Sequence, residues 1–71
     1  MEPILYTVAE TAELLKINKN MVYELLKKNI ILGLKLGSMK ITRAELIRFL
    51  EENTGKDLSD LDNIQELKFK I

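Results

Sequence analysis

Three residues, Lys16-Ile17-Asn18, separate two stretches that each read as a capped amphipathic helix, and so short a link makes the two helices neighbours. The first stretch opens with Thr7-Val8-Ala9-Glu10. That is capping-box spacing: a threonine hydroxyl can accept from the amide three residues on, while the glutamate carboxylate reaches back. Val8, Ala12 and Leu15 then fall at i, i+4 and i+7, with Thr11 and Leu14 widening the stripe, which predicts a helix over about 8–15. Before it, Pro3 opposes an earlier helix start, so Met1 to Tyr6 should be an extended lead-in. Asn18 is a good N-cap for the second helix, expected over about 19–28, with Val22, Leu25 and Leu26 as its buried seam. Asn29 suits the left-handed position that ends a helix.

Beyond Asn29 the period changes. Leu32, Leu34 and Leu36 alternate with Gly33 and Lys35, and Met39 and Ile41 flank Lys40. This predicts strands near 34–36 and 39–41, joined by Gly37-Ser38 as a two-residue turn with glycine first. Thr42-Arg43-Ala44-Glu45 repeats the capping-box spacing, and Leu46, Phe49 and Leu50 supply an apolar face for a third helix ending near Asn53, before Gly55. The expected fold is mainly α with a small β-hairpin, a winged helix-turn-helix in the order α-α-β-β-α. It should occupy residues 1–53, followed by an acidic C-terminal tail, 54–71, that is partly ordered. In that tail Ser59 is expected to cap a turn of helix through Ile64, and Leu67 to Ile71 alternates apolar with basic like a short strand.

Charge is distributed in blocks although the formal net charge is zero. From Lys16 to Arg43 there are seven bases (Lys16, Lys19, Lys27, Lys28, Lys35, Lys40 and Arg43) against the single acid Glu24. Both flanks are acidic. A segregated field of this kind can steer a polyanion where net charge predicts nothing. The absence of cysteine and histidine removes thiolate ligands, disulfides, the commonest metal ligand and the commonest general base. With no glycine-rich phosphate loop either, the expectation is no enzyme, no cofactor, no metal and no small-molecule ligand. No apolar run approaches the roughly 20 residues of a membrane span and no signal peptide is evident, so a cytoplasmic protein without a membrane partner is expected.

The ordered combination of these pieces resembles the excisionase-type DNA-binding family, relatives of the MerR-type winged-helix domains. The resembling stretch runs from Leu5-Tyr6-Thr7-Val8-Ala9-Glu10-Thr11-Ala12-Glu13-Leu14-Leu15 through Ile17-Asn18-Lys19-Asn20-Met21-Val22-Tyr23. It continues with Leu34-Lys35-Leu36-Gly37, Ile41-Thr42-Arg43-Ala44-Glu45-Leu46 and Phe49-Leu50. Lys16 and Asn29 stand where the family usually has glycine, and the wing tip Gly37-Ser38-Met39 is shorter and less arginine-rich than is common. The resemblance implies a bacterial or phage setting, often a mobile element. It implies double-stranded DNA as partner and either transcriptional regulation or an architectural role in recombination, with an integrase or further copies on adjacent sites as additional partners.

In such folds the second helix enters the major groove and the wing touches backbone or minor groove. Lys19, Asn20 and Tyr23 are then placed to meet base edges or phosphates, with Asn20 the candidate reader because an amide can bond an adenine edge bidentately. Lys27, Lys28, Lys35, Lys40 and Arg43 are candidate phosphate contacts, which position without reading sequence. Blander readings stand beside these. Surface lysines commonly only solubilise, Tyr23 could equally pack on the wing, and Met21 and Met39 read as core filler. Glu51-Glu52 diverge on a helix and form no acid–base pair. The rival function is a winged helix that docks another protein without touching DNA.

Overall fold

The computed structural model describes residues 3–68. The chain runs β1 (Leu5–Thr7), α1 (Val8–Leu15), α2 (Lys19–Lys27), β2 (Leu34–Leu36), β3 (Ser38–Thr42), α3 (Arg43–Asn53), β4 (Lys56–Asp57) and β5 (Gln65–Glu66). It is a small, mainly helical winged helix-turn-helix with two antiparallel sheets, one three-stranded in the order β1-β3-β2 and one formed by β4 and β5.

Local chemistry sets the helix boundaries. Thr7 and Glu10 form the complete capping box, Glu10 N donating to Thr7 Oγ1 at 3.1 Å and Thr7 N to Glu10 Oε1 at 2.9 Å. Asn18 Oδ1 accepts from Met21 N at 2.8 Å and starts α2. Lys16 and Asn29 both adopt left-handed backbone, at φ 59° and 56°, and turn the chain out of α1 and of the end of α2. Glycine is the usual occupant of that conformation, and asparagine reaches it more cheaply than lysine. Thr42 caps α3 through Glu45 N at 3.0 Å, but only half of the second expected box forms. Thr42 already belongs to β3, paired with Leu5, and the Glu45 carboxylate turns instead to Leu32 N, 2.8 Å away.

The core is Val8, Ala12, Val22, Leu25, Ile31, Ile41, Leu46 and Phe49, sealed by Tyr6, Leu15, Met21, Leu26 and Met39 among others. Thr11 is wholly buried among them, its hydroxyl satisfied by donation to Thr7 O at 2.9 Å. Leu14 and Leu50, read as part of the apolar stripes, are instead about half exposed (53% and 46%), because each lies at the solvent margin of its helix. Gly33, just before β2, sits in a close approach. A Cβ there would stand 2.5 Å from Met39 Sδ and 2.9 Å from Leu26 Cδ2, so any side chain would make the ends of those two side chains move.

Three expectations need correction. The lead-in is more than extended coil: Leu5, Tyr6 and Thr7 pair with Thr42, Ile41 and Lys40 and add a third strand to the wing. The wing turns over Gly37 alone, at φ 72°, because Ser38 joins β3 opposite Leu36; the register is 36↔38, 35↔39 and 34↔40 rather than that of a two-residue turn. In the tail no helix follows Ser59. Its N and Oγ both donate back to Asp57 Oδ1 (2.9 and 2.6 Å), and Asp62 N donates to Asp60 Oδ1 (3.0 Å), so successive side-chain turns outcompete a helical turn. A two-residue strand forms instead at Gln65–Glu66, before the expected one; Leu67 and Lys68 are not in a strand, and residues 69–71 of the expected strand lie outside the described residues. Leu58 and Leu61 pack the tail against the core.

Candidate nucleic-acid interface

Helix α2 buries Val22 and Leu25 and turns Lys19, Asn20 and Tyr23 outward. Its first turn carries no acid, so the positive end of the helix dipole and the Lys19 ammonium add rather than cancel. Lys19 and Tyr23 share a shallow cleft of ≈ 210 Å³ with Thr7, Val8 and Ala9 at the start of α1, and with Ser38 and Met39 at the wing tip. Three elements distant in sequence therefore meet on one surface: the leading turns of both helices and the end of the hairpin. Tyr23 is 47% exposed and stands beside the wing, its ring partly covered and partly open. Met21 and Met39 pack against the core, as filler should.

The remaining bases are not equivalent. Lys27 is well exposed and only loosely associated with Glu24, at 3.9 Å. Lys28, the C-cap of α2, is hydrogen-bonded to Asp62 of the tail, and that carboxylate shifts the lysine further towards its charged form. Lys35 and Lys40 lie on opposite faces of the hairpin, because paired residues share a face: Lys35 goes with Met39, Lys40 with Leu34 and Thr7. Lys40 Nζ folds onto the wing tip, donating to Ser38 Oγ at 2.6 Å, Leu36 O at 3.2 Å and Ser38 O at 3.4 Å. Arg43 opens α3, half-buried, with its backbone N donating to Ile4 O at 2.9 Å. The eight candidates thus divide into a leading cluster on α2, a trailing pair at its far end, two wing lysines on different faces, and Arg43 at the sheet-to-helix junction.

Sequence reasoning missed the group that holds this surface in place. Arg48 on α3 bonds Glu45 through Nε at 2.7 Å and again through Nη2, reaches Glu52, and donates to Ile30 O at 3.2 Å. Glu45 in turn accepts from Leu32 N. The link between α2 and the wing, residues 30–32, is thereby fastened to α3. The i, i+3 and i+4 spacing of Glu45, Arg48 and Glu52 was the available signal, but only the fold supplies the backbone partners.

Residues 5–54 match the family described as a helix-turn-helix domain. No curated protein and no solved structure matches the chain. Among the described residues no helix is long and apolar enough to cross a membrane.

Proposed function

The chain belongs to the helix-turn-helix domain family, a DNA-binding family, and from that membership we propose that it is an excisionase-type architectural factor or small transcriptional regulator. Helix α2 lies in the major groove of double-stranded DNA, with Asn20 reading a base edge and Lys19 and Tyr23 beside it. Lys27, Lys35 and Arg43 supply phosphate contacts. The protein performs no reaction of its own. One observation carries this reading: the exposed leading turn of α2 with Lys19 and Tyr23, the start of α1 and the wing tip line a single cleft. A recognition helix this short makes few base contacts, so useful specificity would come from repeated sites, further copies or an integrase partner.

The experiment is a titration of duplexes recovered by selection from a randomised pool, repeated across salt concentrations. With about three or four phosphates engaged, log K falls with log salt at a slope of roughly −3. Asn20→Ala should flatten sequence preference at one or two positions, while Lys27→Ala weakens all sequences alike and makes the slope shallower. Equal behaviour of the two variants would mean that α2 is not the reading element. Recovery of no duplex at low salt would favour the rival reading, a winged helix that docks protein.

A further inference from the structure

The wing is apolar where a backbone-gripping wing would be basic. Leu34 and Leu36, the apolar residues of the hairpin's outer strand β2, are 43% and 57% exposed, and Leu32, two residues before that strand, is 53% exposed. Leu34 and Leu36 share a face with Lys40 and Ser38, away from Met39 and Ile41, which face the core. Leu36 is the last side chain before the turn at Gly37, and no Cβ projects beyond it at the tip. β2 is also an edge strand, and exposed apolar edges are ordinarily blunted by charge because they invite association. Single exposed leucines need no explanation, but two on one face of an edge strand, the outer one at the tip of the hairpin, do.

We propose that Leu36 is a wedge that enters the minor groove and partly unstacks a base step, bending the duplex, with Leu34 following it along the groove wall. The proposal deepens the DNA-binding reading and rests on it. Two observations favour DNA over a protein as the occupant. The tip is continuous with the cleft that holds Lys19 and Tyr23, since Ser38 and Met39 line that cleft, so a duplex seated on α2 runs past Leu36. The surroundings are also complementary to a polyanion. No acidic residue occurs between Glu24 and Glu45, and the Lys40 ammonium sits directly behind the apolar tip, tethered to the carbonyls of Leu36 and Ser38. An apolar side chain with a cation at its base suits a groove walled by phosphates and floored by stacked bases. Tethering also rigidifies the one-residue turn, so the wedge is held ready rather than ordered on contact.

The test uses the full chain and duplexes selected from a randomised pool, labelled at both ends so that energy transfer reports bending. Wild type should bend the duplex. Leu36→Ala should melt at the wild-type temperature, bind roughly tenfold more weakly with an unchanged salt slope, and lose most of the bend. Leu36→Lys should steepen the slope by about one yet leave the bend unrestored, because it adds charge without a wedge. Full bending by either variant overturns the wedge while leaving recognition by α2 intact, provided Asn20→Ala still loses preference in the same assay. A wild type that recovers no duplex overturns the DNA reading and the wedge with it. If Leu36→Ala instead converts a sedimenting dimer into a monomer with the bend unchanged, the leucine ridge is a protein contact and the wedge is wrong.

Discussion

Arg48 with Glu45 and Lys28 with Asp62 are chemically alike, each a cation hydrogen-bonded to a carboxylate, yet they sit in opposite surroundings. The Glu45 side chain is 13% exposed and that of Asp62 74%. Around Glu45 the pair is one part of a network that also satisfies Leu32 N and Ile30 O, so it ties the link between α2 and the wing to α3. Around Asp62 the bond joins the tail to the end of α2 across open solvent. Exposed pairs gain little, because water and salt screen them and long side chains must be ordered. A pair that is partly shielded and also holds backbone groups matters more, since losing one partner removes several bonds at once. The contrast is one of position: the first contact holds the link between α2 and the wing against α3, and the second covers one of the candidate phosphate contacts at the end of α2.

Removing the carboxylate of Glu45 should be the most damaging change to this pair of contacts. Glu45→Ala removes the side-chain acceptor of Leu32 N and the Glu45 bonds of Arg48, which keeps Glu52 and Ile30 O, and should cost about 1 kcal/mol in urea unfolding followed by circular dichroism. A loss below about 0.5 kcal/mol would place it with the surface pairs and erase the contrast.

Acid should reproduce part of that loss. The Arg48 guanidinium, helped by the Leu32 amide, holds the Glu45 carboxyl below its ordinary value of 4.5. A carboxyl whose pKa is lower folded than unfolded stabilises the fold above the unfolded value, and that stability disappears as pH falls through the folded one. Melting temperature should therefore decline as pH drops below about 4.5, and Glu45→Gln should flatten part of that decline. Asp57, lowered by its bonds from Ser59, acts in the same direction, so the difference between wild type and Glu45→Gln is the informative quantity. Parallel acid limbs in the two proteins would remove Glu45 from the acid response.

Much of this was legible because it is local. Thr7 and Asn18 cap helices through partners three residues away, and Lys16 and Asn29 take left-handed backbone where a turn must occur; spacing alone carries such information. Glu45 shows where that stops. Its spacing to Thr42 promised a second complete box, but a strand neighbour for Thr42 and a distant amide at Leu32 redirected the carboxylate. β1 was missed for the same reason, since a three-residue strand has no period of its own and exists through its pairing with β3. Of the candidate site, exposure of Lys19 and Asn20 followed from helix periodicity. The covering of Lys28 and the folding back of Lys40 did not, because Asp62 lies 34 residues from Lys28 and the wing turn differs in register from the expected one.

The smallest effect on stability, and the one that separates holding from covering, belongs to Asp62→Asn. Its melting curve should overlie that of wild type, since the pair is exposed and Leu58 and Leu61 still seat the tail. On DNA the variant should behave differently. Freed from Asp62, the Lys28 ammonium can extend to a phosphate at the trailing end of α2, steepening the salt slope by about 0.9 and tightening binding at low salt more than at high salt. Lys28→Ala placed on top of Asp62→Asn should return the slope to the wild-type value. An unchanged slope in Asp62→Asn would mean that the trailing end of α2 points away from the duplex. The leading turn with Lys19 and Asn20 would then have to supply the helix's whole grip.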